Sequence, residues 1–177
     1  MATHAAIASA CDAIVRLLHQ AWRPELFGNV ALTFSVYRAQ DFASPMDTGV
    51  SLFLYRVLVN SGIRTPSGPG TGPAALPLDL HFLLTPWAAE AAMEQEILGW
   101  VMRTLDDTPI LTTGLLNVRV AGVFGPDEVL EVVADQLSND ELLRLWDVLR
   151  TDFRPSVQYV ARVVRIESTA MAAASPP

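Results

Sequence analysis

At 177 residues, with a formal net charge of −7 and 51% apolar side chains, the chain has the size and apolar content of one domain with a core of its own. Only 18% of its residues are charged, which excludes a disordered chain. The acidic balance weighs against nucleic-acid binding, which draws most of its affinity from neutralising phosphates. All twelve cationic side chains are Arg and none is Lys, a pattern compatible with protein interfaces and with a biased base composition.

The longest candidate membrane segment, residues 74–93, is interrupted by Pro77, Asp79, His81, Pro86 and Glu90 and falls short of the ~20 apolar residues a spanning helix needs. No Arg or Lys precedes Arg16, so the first apolar residues read as an amphipathic helix and not as a signal peptide. The expected location is the cytoplasm. Cys11 is the only cysteine, which leaves no internal disulfide and no cysteine-built metal site.

The first predicted element is a helix over residues 5–22, where Ile7, Cys11, Ile14, Leu17, Leu18, Ala21 and Trp22 form one apolar stripe. Pro24 and Gly28 end it. Residues 30–38 alternate, with Val30, Leu32, Phe34 and Val36 on one side, and predict a half-buried strand. Residues 50–59, VSLFLYRVLV, are apolar on both faces and predict a central strand. Gly, Pro and Ser then dominate residues 60–73, a long mobile loop by expectation. It lacks the Lys and the Gly-Lys-Ser/Thr ending of a phosphate-binding loop.

A strand over residues 76–85, closed by Pro86, leads into a helix over 89–105 carrying Met93, Ile97, Trp100, Val101 and Leu105 on one side. Short strands are expected at 115–121 and 128–134. Ser138 and Glu141 are spaced as a capping box and open a helix through Leu149 that points Leu142, Leu145, Trp146 and Leu149 inward. Residues 156–166 predict a long final strand, and residues 169–177 a disordered tail. Two strands without a helix between them, and helices falling singly elsewhere, give an α+β fold: a mostly antiparallel or mixed sheet packed with about three helices. Residues 1–168 read as a single domain. Residues 125–152 hold eight carboxylates against two arginines, which reads as a solvated face or as a steering surface.

Catalytic chemistry is hard to assemble. His4, His19 and His81 share no metal-ligand spacing, and no Gly-x-Ser-x-Gly motif is present. Asp79 and His81 lie two apart on one strand and so share a face, but a pair without a third partner is common outside active sites. No catalytic, cofactor-binding or metal residue is assigned, and no cofactor is expected.

Three stretches carry a resemblance. They are GVSLFLYRVLVNSGIR (residues 49–64), LPLDLHFLLTPWAAEAAMEQEILGWVMRTLDDTPIL (76–111) and LSNDELLRLWDVLRTDFRPSVQYVARVVRIES (137–168). In this order they resemble the N-terminal domain, formerly a domain of unknown function, of the tail-terminator or cap proteins of extracellular contractile injection systems. The Photorhabdus virulence cassettes and the antifeeding prophage are such systems. The resemblance implies a structural cap: a six-membered ring that ends tube and sheath polymerisation in a phage tail-like particle. The implied partners are other copies of the chain and the sheath and inner-tube proteins. Longer members carry a further C-terminal region, which allows an auxiliary cap as well as the main one.

A head-to-tail ring interface that closes is what such a role requires. Candidate interface residues are Arg64, in the long loop, and Arg154, Tyr159, Val160, Arg162 and Val164, on or before the final strand. That strand either adds to a neighbour's sheet or lies inside the domain's own. The alternatives from other classes are an assembly adaptor or chaperone for sheath or baseplate proteins, and a small hydrolase-like enzyme using His81 and Asp79.

Overall fold

A computed structural model describes residues 2–63 and 74–168. The loop expectation for residues 60–73 therefore falls mostly outside the described residues, as do Arg64 and the tail at 169–177. The doubly apolar run forms β2 (Gly49–Val59), and the Leu-rich run after the loop forms β3 (Leu76–Trp87). These two pair antiparallel from Gly49 opposite Trp87 to Val59 opposite Leu78. The first half of β2 and nearly all of β3 are covered on two sides, which is why neither shows the alternation of a half-buried strand, whereas Val57, Leu58 and Val59 at the end of β2 are exposed.

The last element, β6 (Val157–Ile166), pairs antiparallel with the other side of β3, and β5 (Leu130–Ala134) pairs with β6 in turn. A two-residue strand, β4 (Ile110–Leu111), ends the sheet on that side, and β1 (Thr33–Tyr37) ends it on the other. The order is β1-β2-β3-β6-β5-β4. The sheet is mixed because β1 runs parallel to β2. The connection needed to return the chain is supplied by residues 38–48, which include a 3-10 turn at Ala39–Ala43. At the start of β2 a Cβ on Gly49 would overlap the Thr33 carbonyl, so this close approach of β1 requires glycine.

Helices α1 (Ala6–Ala21) and α2 (Ala91–Asp107) bury the predicted stripes against one face of the sheet. Ile14, Leu18, Ile97, Val101 and Leu105 meet Leu52, Leu80, Phe82 and Ala161 in the main core. The helix opened by the capping box, α4 (Asn139–Leu149, after the one-turn α3 at Thr113–Leu116), covers the opposite face. There Trp146 and Leu149 join Phe42, Leu83 and Trp87 in a second, smaller core. Ser138 Oγ accepts from the Glu141 N–H at 3.3 Å, and Glu141 accepts in return from the Ser138 N–H at 3.0 Å. The Ser138 hydroxyl, which donates to the Glu141 carboxylate at 2.8 Å, and then the Ser138 N–H hold that carboxyl below its usual pKa.

Two local expectations need correction. Residues 115–121 do not form a strand. Asn117 closes the loop onto Phe124, donating to its C=O at 3.0 Å and accepting from its N–H at 2.8 Å. Val118 and Val120 are left exposed, and β4 at 110–111 takes the edge position instead. Pro86 does not close its strand either, since it stays in register opposite Val50 and the strand runs on to Trp87. The β6 ladder stops at Leu84, so Pro86 lacks its N–H where no strand adjoins on that side.

Candidate assembly surfaces

Asp79 and His81, two apart on β3, take different partners. His81 is 8% exposed, and its Nδ1 lies 2.6 Å from Asp135 Oδ2, beyond the end of β5. Asp79 instead accepts from the Asn60 side chain at 3.0 Å. No nucleophile joins either pair among the described residues. Nor do those residues contain a group of three or more His, Cys, Asp or Glu able to hold a metal ion. No helix among them is long and apolar enough to cross a membrane. Burial pushes the Cys11 thiol up to about 12, with the Asp12 charge adding to it.

The acidic stretch at 125–152 is more committed than its charge count implies. Glu131 pairs with Arg162 at 3.2 Å, Asp135 with His81 and Glu141 with Ser138, while Glu128 accepts from the Gly125 N–H at 2.7 Å. Asp127, Asp140, Asp147 and Asp152 remain on the surface.

The final strand lies inside the sheet. From Tyr159 to Ala161 its main chain has β3 on one side and β5 on the other. Near its end, the Ala2 N–H donates to the Arg165 C=O at 2.9 Å, and the Glu167 N–H donates to the Ala2 C=O at 2.8 Å. Tyr159, Val160 and Val164 are buried, at 4%, 7% and 0% exposure. Of the two readings of this strand, the internal one describes the fold. Arg154 reaches inward, pairing with Glu94 on α2 and stacking over the Trp87 ring at 5.0 Å. Arg162 keeps half of its side chain exposed beside Glu131. The five described candidates thus do not gather on one surface.

An open surface lies at the other end of the sheet. The Thr33 N–H donates to the Thr48 C=O at 3.1 Å. Main-chain direction alternates along a strand, so Ser35 and Tyr37 also face β2, and the N–H and C=O of Phe34 and Val36 face away from the sheet. None of those four groups has a partner among the described residues. Thr33–Tyr37 reads TFSVY, with no charge, no proline and no bulge, the devices by which edges are usually guarded.

Beside this edge a groove of about 470 Å3 runs between α1 and Phe34. It is lined by Asp12, Val15, Arg16, His19, Phe34 and Arg119. Asp12 is neutralised by Arg119 at 2.7 Å, whereas Arg16 is exposed and forms no ion pair among the described residues. Phe34 is braced from behind by Trp22 and Trp100, at centroid distances of 6.4 and 6.0 Å. Nothing in the local sequence marks this edge, because strand order is set by pairing partners distant in the chain.

A family model described as the Pvc16 N-terminal domain matches residues 9–177. Among solved structures, the fold is similar to the sheath/tube terminator of an extracellular contractile injection system, PVC, in its extended state. The TM-score is 0.60 at 19% identity, over 100% of this chain and 64% of that one. It is also similar to the tube terminating cap of the anti-feeding prophage, with a TM-score of 0.59 at 17% identity, over 93% of this chain and 56% of that one. The chain thus spans less than two thirds of the length of either structure. No curated protein matches it.

Proposed function

Because the chain belongs to the Pvc16 N-terminal domain family, we propose that it is a structural cap, a terminator of the tube and sheath of a contractile injection particle. The observation that carries this reading is the match of the fold, over all or nearly all of this chain, to two such terminators. A role without catalysis goes with this reading, since both similar structures are terminators. In this reading residues 1–168 act as one domain and assemble head-to-tail into a ring of about six copies, the arrangement that closes without leaving free ends.

The ring meets the sheath and tube proteins at the end of a particle built in the cytoplasm. Arg162, exposed on the sheet, is the proposed contact among the residues singled out from sequence. Light scattering on the purified protein tests the ring: a mass near six times that of the monomer supports it, and a monomer at every concentration overturns it.

A further inference from the structure

We propose that the open edge of β1 is a strand-addition site for an extended segment of a different protein, at the polymer end that this chain meets. The inference rests on the terminator reading and names how one of its partners is held. The occupant is defined by three observations. Two N–H and two C=O groups, on Phe34 and Val36, point outward unpaired, and only another main chain in extended form satisfies them in sequence. The groove between α1 and Phe34 offers Val15 and the ring of Phe34 to apolar side chains on one side of that added strand. Arg16 stands at the groove without a counter-ion, with His19 beside it and Arg119 already paired, so the segment carries a carboxylate there.

A second copy of the chain does not suit this edge. Among the described residues, β3 lies between β2 and β6, β6 between β3 and β5, and β5 between β6 and β4, while β4 is two residues long; the stretch of β2 that runs past β1, Leu54–Val59, carries Arg56 and no carboxylate to meet Arg16. The other open edge a copy offers among the described residues is its own β1, and β1 against β1 is a two-fold contact that stops at a dimer. A terminator ring is headed, so its polymer contact comes from another polypeptide. The edge strand beside a helix is the arrangement by which sheets take up peptides: main-chain bonds give affinity and alternate side chains give selectivity.

The test uses the full chain and end-blocked peptides. One is an eight-residue probe alternating Val and Thr with a single Glu, and the others are overlapping peptides covering the sheath and tube subunits. Binding is read by fluorescence anisotropy, and hydrogen exchange follows the Phe34 and Val36 amides. At least one peptide is expected to bind and to slow exchange at those two amides. Val36→Pro removes a donor that the sheet does not use, and is expected to weaken binding by about tenfold or more, the ratio that about 1.4 kcal/mol represents. Arg16→Glu, on an exposed position of α1, weakens the Glu-bearing peptide selectively. N-methylation of the peptide backbone at alternate residues abolishes binding and keeps the test independent of how the proline variant folds.

Binding that ignores Val36→Pro in a folded variant and ignores N-methylation overturns the proposal. So does the failure of every peptide to bind. Concentration-dependent dimerisation lost in Val36→Pro overturns the choice of partner, because the edge then takes a second copy. If peptides bind at β1 but particles keep uniform ends without the protein, strand addition stands and the terminator reading falls.

Discussion

Arg154 offers a clean separation between an internal and an interfacial role. Its guanidinium pairs with Glu94, whose side chain is 11% exposed, while its own is 37% exposed, and it stacks over Trp87. Arg154→Ala strands the Glu94 carboxylate in the first turn of α2, with the Ala88 N–H as a weak donor at 3.4 Å. Breaking a buried pair costs about 3–5 kcal/mol. Water reaching the Arg154 side brings that to about 2 kcal/mol, and the lost stacking adds about 0.5–1 kcal/mol.

The expected loss of about 2–3 kcal/mol lowers Tm by about 5–10 °C for a chain of this size. Urea unfolding followed by circular dichroism measures it. Adding Glu94→Gln should recover about half of the loss, because no charge is then left buried and unpaired. A folded Arg154→Ala protein of unchanged stability that no longer oligomerises would refute the internal assignment and return Arg154 to the interface.

Two further outcomes follow from the same geometry. Val160→Pro deletes a donor from a stretch of β6 flanked by β3 and β5, and at a central strand this should unfold the protein, with loss of the circular dichroism signal; a folded variant deficient only in assembly would contradict the topology. The Cys11 thiol, raised from 9.0 to about 12 in the fold, stays protonated when the unfolded chain has already lost its proton. The stability it contributes is therefore fully present below pH 9 and is lost as pH rises towards 12. Cys11→Ala should flatten that part of the pH profile, and native protein should resist thiol reagents at neutral pH; rapid labelling would contradict the burial.

Much of the layer structure is legible in the sequence because it depends on local periodicity. The stripe from Ile7 to Trp22, the doubly apolar VSLFLYRVLV and the Ser138–Glu141 box each specify an element through contacts within a few residues. Pairing order does not follow from such signals. The last strand in the chain lies between β3 and β5, and the exposed edge is a strand near the start. The strand β1 runs parallel to β2 although its return carries only a 3-10 turn where a helix is usual. The spacing of Asp79 and His81 suggests a pair, but Asp135 lies 54 positions from His81 in sequence and 2.6 Å from it in space. Long-range pairing of this kind leaves no mark in the residues around His81.

The central claim is that this chain ends a polymer. Electron microscopy of particles made with and without its gene, measuring the length distribution in each, tests that claim most directly. The account predicts uniform particles with the gene and, without it, particles of irregular length, unstable sheaths or none at all, restored by supplying the protein in trans. Particles of unchanged uniform length in its absence would contradict it.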